Sequence, residues 1–208
     1  MTLETEIARF ENLGDNCEFG FVKRSLGNEE GGLLRWASTP PGALIAGLKD
    51  QFSRLYEFEN LTPAWDDMVC DNAYGIGFHS SLKSRNRKWI ESEKKRLKLY
   101  EVEKRKYLYL REKFLERAKN KSNILVYKVN GILCDDELFA IATAIKAIGP
   151  AQTLIVKTSE DPALIGSVQQ EASYLVGYID RFAAYDNAEM FSPVWLTIIE
   201  NAARIYAA

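Results

Sequence analysis

Apolar residues recur with two different spacings along this chain of 208 residues, and the change from one to the other marks out its elements. Residues 4–12 carry a weak helical stripe, residues 16–26 read as a helix behind an Asn16 cap, and residues 42–56 place Leu44, Leu48, Phe52 and Leu55 on one side after the breaker Pro40-Pro41. The stretch from Gly31 to Pro40 between the last two predicts an irregular or short extended piece. Tyr74-Gly75-Ile76-Gly77-Phe78-His79 alternates strictly, so Tyr74, Ile76 and Phe78 share one strand face and Gly75, Gly77 and His79 the other. From residue 83 to 121 the period turns helical, with Ile90, Leu97, Tyr100, Tyr107 and Phe114 on a common stripe and Glu91/Lys95 and Glu101/Arg105 spaced to pair. This predicts one or two long amphipathic helices. Strands are expected over 124–129, 153–157 and 174–179, a helix over 135–148 with a Gly149-Pro150 stop, and a closing helix from Phe191 to Tyr206.

Strand, helix and strand at that spacing imply a right-handed crossover and parallel neighbours. The fold class expected is α/β: a single domain, residues 1–208, with a mixed or largely parallel sheet flanked by helices. Leu138, Ile141 and Ile145 should then be buried against the sheet formed by the last three strands. A hydrophobic content of 47% suffices for a full core. No run approaches 18 apolar residues and the first residues lack a signal-peptide pattern, so a cytoplasmic protein with no membrane span is expected. Cys17, Cys70 and Cys134 are irregularly spaced and His79 is the single histidine, so neither a disulfide framework, a metal site nor a cofactor is expected. The net charge of -2 conceals a segment, Lys83 to Lys121, with 16 Lys and Arg against 6 Glu. A solvated helical face explains it more simply than nucleic acid, because no nucleic-acid motif accompanies it.

Candidate chemistry centres on Cys17 and His79. Gly14-Asp15-Asn16-Cys17-Glu18 reads as a loop entering a helix, where free N–H groups and the helix dipole stabilise a thiolate. His79 faces a surface cleared by Gly75 and Gly77, as expected where a ligand or another backbone approaches. His79, Asn130, Thr158 and Asp180 each stand at or just after a strand's carboxyl end, where ligand crevices lie in open α/β sheets. If the strands run parallel these residues converge, and Asn130, slightly favoured, or Asp180 would orient the imidazole. The plain alternatives are a turn at Asn130-Gly131 and a surface ion pair at Asp180-Arg181.

Leu13-Gly14-Asp15-Asn16-Cys17-Glu18-Phe19-Gly20, then Leu34-Arg35-Trp36, then the strand ending at His79, and later Ile124 to Val129, together resemble a bacterial family of unknown function described as papain-like cysteine peptidases. The resemblance implies Cys17 and His79 as the catalytic pair. Many members carry Pro-Phe-Asp-Trp where this chain has Leu33-Leu34-Arg35-Trp36, and many follow the histidine with Asp where this chain has Ser80. The leading expectation is a cysteine hydrolase or acyltransferase acting on an amide, ester or thioester: Cys17 attacks, His79 is base and then acid, and backbone N–H groups with Asn16 hold the oxyanion. The substrate would be a peptide, acyl compound or glycan, with Arg35 and Trp36 binding it. The alternative is a non-catalytic ligand-binding or scaffold module, for instance of a surface-polysaccharide pathway, in which Arg35, Trp36 and the glycine face form the pocket. A third reading makes the basic segment a docking surface for nucleic acid or an acidic partner.

Overall fold

Continuous apolar runs and short alternating ones separate into two different sheets. The computed structural model describes residues 2–207. In chain order the elements are α1 (Leu3–Glu6), β1 (Phe10–Asn12), α2 (Glu18–Ser25), β2 (Ala37–Ser38), α3 (Pro41–Lys49), β3 (Leu61–Trp65), β4 (Met68–Asp71), β5 (Ile76–His79), β6 (Ser84–Arg85) and β7 (Lys88–Trp89), followed by α4 (Glu93–Ala118), β8 (Ile124–Lys128), α5 (Asp135–Ile148), β9 (Gln152–Thr158), β10 (Val168–Gln170), β11 (Leu175–Ile179) and α6 (Val194–Ala207).

The larger sheet has the order β1-β8-β9-β11-β10, all parallel except β10. Every residue of β8 is buried, as a central parallel strand covered on both faces requires. On one face Phe10, Ile124, Val126 and Leu154 pack with Phe19 and Val22 of α2 and with Trp195, Ile198 and Ile199 of α6. On the other, Leu125, Tyr127 and Ile155 meet Leu138, Ile141 and Ile145 of α5, as expected, together with Leu44 and Leu48 of α3 and Phe114 of α4. The helix after β1 and the helix after β8 therefore lie on opposite faces of two adjacent strands. That reversal is a topological switch point, the place where ligand crevices form in open α/β sheets, and here it falls between the loops that follow Asn12 and Lys128.

The second sheet, β2-β5-β4-β3, is antiparallel throughout and is inserted between β1 and β8. His79 belongs to this sheet, so the expected convergence at parallel strand ends does not extend to it. Thr158 ends, and Asn130 and Asp180 come just after, parallel strands of one sheet.

Several boundaries differ from expectation. Residues 4–12 form a short helix, a 3-10 turn and then β1, not one helix. The helix expected to Tyr56 stops at Lys49, because Gln51, Phe52 and Tyr56 take positive φ. Residues 83–121 begin with the β6–β7 hairpin, and a single long helix, α4, follows. Tyr100, Tyr107 and Phe114 form its buried stripe, whereas Ile90 and Leu97 are exposed. The Glu91–Lys95 pair forms at 3.6 Å, and Lys104, Lys113 and Arg117 are tied to Glu57 and Glu30. No described helix is long and apolar enough to cross a membrane.

Candidate active site

Cys17 sits at the switch point. It is the residue before α2, its carbonyl accepts from the Phe21 N–H at 3.1 Å, and Asn16 Oδ1 accepts from the Glu18 N–H at 2.9 Å. The asparagine side chain thus caps the helix start, as its position suggested. Its Nδ2 is buried and has no partner, so the residue preceding Cys17 keeps an unused donor.

The polar groups around this loop come from both sides of the switch point. Asp15 Oδ2 accepts from the Asn130 N–H at 3.2 Å and from the Tyr185 hydroxyl at 2.8 Å. Beneath them lies an ion pair with both side chains buried: Lys128 Nζ is 2.9 Å from Glu18 Oε2, and the Trp195 indole N–H donates to Glu18 Oε1 at 2.9 Å. Burial pulls the Lys128 ammonium below the usual lysine range while Glu18 opposes the shift.

The thiol does not have the depressed pKa expected of a helix-start cysteine. Burial pushes it above the ordinary value, and the attraction of Lys128 only partly offsets this. Alkylation of Cys17 by iodoacetamide is accordingly expected to be slow at pH 6 to 7. Followed by peptide mass spectrometry, it should accelerate into the alkaline range with a midpoint above the roughly 8.5 of a free cysteine.

His79 ends β5 with its Nδ1 3.1 Å from Asp67 Oδ2, both side chains about half exposed. A carboxylate at Nδ1 fixes the ring and leaves Nε2 free. The carboxylate partner is therefore Asp67, from the β3–β4 turn. Asn130 and Asp180, the expected orienting residues, make their contacts elsewhere. Asn130 Nδ2 donates to the Ala183 carbonyl at 2.6 Å and its Oδ1 accepts from Lys128. Asp180 accepts from Arg181 at 2.8 Å and from the Ser192 hydroxyl. Burial works against its charged form, but these hydrogen bonds hold its carboxyl below the usual range.

The residues after the imidazole are anchored from α4. Glu103 Oε2 accepts from the Ser80 hydroxyl at 2.7 Å and from Tyr56 at 2.6 Å, and its Oε1 accepts from the Ser81 N–H at 2.7 Å. The Tyr107 hydroxyl donates to the His79 carbonyl at 3.3 Å. Ser80, which stands where the resemblance leads one to look for an acid, is thus committed to anchoring.

β2 lies between the two candidate groups. It pairs with β5 through Ala37–Phe78 and Ser38–Gly77, and its flanking residues touch the Cys17 segment. The Thr39 N–H donates to the Asp15 carbonyl at 3.2 Å, and Trp36 packs edge-on against Phe21 with ring centroids 5.2 Å apart. Trp36 also lines a cavity of about 320 Å³ with His79, Lys106 and Tyr107. No hydrogen bond joins the Cys17 sulfur to the imidazole among the described residues; their segments are connected through this one strand and its tryptophan.

Arg35 is not available to a substrate. It is 1% exposed, with its guanidinium donating to the carbonyls of Glu30 at 2.7 Å, Asn28 at 2.7 Å and Gly20 at 3.0 Å. It fastens the 28–30 loop to α2 and lies over the Trp36 ring at 5.0 Å. No group of three or more metal-ligating side chains occurs among the described residues. Comparison of the chain with protein-family models, curated proteins and solved structures gave no match.

Proposed function

We propose that the protein is a cysteine hydrolase or acyltransferase in which Cys17 attacks an amide, ester or thioester carbonyl and His79, oriented by Asp67, removes the thiol proton. The observation that carries this reading is the Asp67–His79 pair, a carboxylate-held imidazole on β5, the strand paired with β2, whose neighbour Thr39 is hydrogen-bonded to the Cys17 loop. A thiol whose pKa is raised by burial suits general-base activation during attack, rather than a resting thiolate–imidazolium pair. In the step proposed, the sulfur forms a bond to the carbonyl carbon, its proton passes to His79 Nε2, and the leaving group departs with the acyl bond's electron pair. Asn16 Nδ2 is the side-chain oxyanion donor of this reading, with the N–H groups of the first turn of α2 beyond Glu18, whose own N–H is taken by Asn16 Oδ1. The papain-like resemblance implies a cysteine on a helix and a histidine on a strand, and the reading rests on that expectation as well.

p-Nitrophenyl acetate tests this reading, because acyl transfer to the sulfur releases coloured p-nitrophenolate. Release should be lost in Cys17→Ala, slowed about ten- to a hundredfold in Asp67→Asn, and unchanged in Asn130→Ala and Asp180→Ala. Parent-like release by Cys17→Ala would remove the enzyme reading.

The second reading is a module that binds a small polar ligand without chemistry. The switch point supports it, since Asp15, two residues before a thiol whose pKa burial raises, gathers hydrogen bonds from Asn130 and Tyr185 across it. It is preferred if all the variants release nitrophenolate as slowly as free thiol does.

A further inference from the structure

The glycine-cleared face of β5 lies over a second cavity, which the Cys17 chemistry leaves unused. Its volume is about 330 Å³, and Ser38, Thr62, Trp65, Asn72, Gly75, Gly77 and Arg87 are among the residues lining it. Four features define what would fit. Trp65 is 63% exposed although it ends a strand of the small sheet, so its indole face is available as a flat apolar flank. Gly75 and Gly77 line it without side chains: at Gly77 a methyl would crowd Ser38 Cβ and Met68 Cε, each 3.3 Å away, while at Gly75 the backbone has φ +85 and open space beside it. Ser38, Thr62 and Asn72 bring hydroxyl and carboxamide groups, with Asn72 Nδ2 donating to Thr62 Oγ1 at 3.1 Å and so leaving its carbonyl oxygen for a ligand.

The fourth feature is Arg87. It is the second residue of the two-residue β6–β7 turn, where Asn86 and Arg87 both take positive φ, 51 and 58. Such a turn accepts glycine at this position without strain, so a guanidinium is held at the cavity's edge against the local preference. Arg87 makes no ion pair among the described residues, and neither do Lys83, Arg85 and Lys88 of the same hairpin. The β3–β4 turn, joined to the hairpin by the Ser84 N–H donating to the Asp66 carbonyl at 3.0 Å, carries Asp66 and Asp67, and Asp67 is engaged by His79.

We propose that this cavity binds an anionic sugar, a single pyranose unit carrying a carboxylate or a phosphate. The ring would lie on Trp65 over the glycine floor, its hydroxyls would meet Ser38, Thr62 and Asn72, and its anion would receive the two parallel N–H bonds of the Arg87 guanidinium. A volume at the small end of ligand cavities suits one sugar unit better than a nucleotide. This inference is independent of the acyl-transfer reading, because it requires no reaction.

Titration of the 208-residue chain with glucuronate and with glucose 1-phosphate, following tryptophan fluorescence, tests it. Glucose and inorganic phosphate serve as the neutral-sugar and bare-anion controls. At least one charged sugar should bind about tenfold or more tightly than either control, and the preferred one identifies the anion as carboxylate or phosphate. Arg87→Gly should weaken that binding about ten- to a hundredfold while leaving the melting temperature equal or higher, since glycine suits the turn. Trp65→Ala should abolish the fluorescence change. Charged sugars binding no better than glucose or phosphate, or Arg87→Gly binding like the parent, would overturn the proposal.

Discussion

Lys128→Met is expected to destabilise the protein by about 3–5 kcal/mol, because it strands the Glu18 carboxylate in a site without water. Both side chains of the pair are essentially inaccessible, and Glu18 retains only the Trp195 indole N–H as a donor once the ammonium is gone. The partner substitution separates charge from packing. In Lys128→Met with Glu18→Gln, the amide oxygen still accepts from Trp195 and no buried charge remains, so much of the loss should be recovered. Urea denaturation of the two variants and the parent measures this, through the midpoint at constant slope. A single variant as stable as the parent would mean that water reaches the pair. The ion pair lies directly below the Cys17 loop, and Lys128 partly offsets the effect of burial on the thiol. Its loss should therefore also move the alkylation midpoint of Cys17 further upward.

Glu103→Ala carries the second large effect. This carboxylate accepts hydrogen bonds from Tyr56, Ser80 and Ser81, tying α4 to the segment that follows His79. Hydrogen bonds to a charged group contribute more than neutral ones, and removing the acceptor leaves the buried Tyr56 hydroxyl with Ser80 as its remaining partner. A loss of about 3 kcal/mol is expected. Glu103 touches no reacting atom, so it acts as a positioning residue: nitrophenolate release should fall about tenfold or more, while the alkylation midpoint of Cys17 stays where it is. Thermal denaturation and the two rate assays, all at a temperature where the variant is folded, separate this from unfolding.

The parts of the fold that show in the sequence are those whose period is long enough to be read. β8, α5, β9 and β11 each run five residues or more with uninterrupted apolar spacing, and the Gly149-Pro150 stop marks the end of α5. β1 is three residues long and continues an apolar stripe begun by Ile7, so it reads as helix; its pairing with Ile124–Val126 is a contact across more than a hundred residues. β3 contains Pro63 and is an edge strand, the position where proline is tolerated and where strand propensity is weakest. The small sheet consequently shows in the sequence through β5 and, less distinctly, through the short extended piece that contains β2.

The same distinction runs through the site. Cys17 at a helix start and His79 on a cleared face follow from neighbouring residues, whereas the His79 partner depends on register. Met68 stands across from His79, and that pairing brings Asp67 to the imidazole. No spacing along the chain ties residue 67 to residue 79; the Asp66-Asp67 pair in sequence signals only a turn. Arg35 shows the converse error. A charged residue beside tryptophan looks like a ligand contact, yet its two terminal guanidinium nitrogens are taken by three carbonyls of neighbouring segments.

Transfer of an acetyl group from p-nitrophenyl acetate to Cys17, compared between the parent and His79→Ala at neutral pH by peptide mass spectrometry, tests the central claim most directly. The account predicts acetyl on Cys17 in preference to Cys70 and Cys134, and a rate about 10²–10⁴ lower in His79→Ala, the range expected for loss of a positioned general base. Equal rates in the two proteins, or acetyl spread over the three cysteines, would show that Cys17 is an ordinary thiol and that the chain uses this site for binding alone.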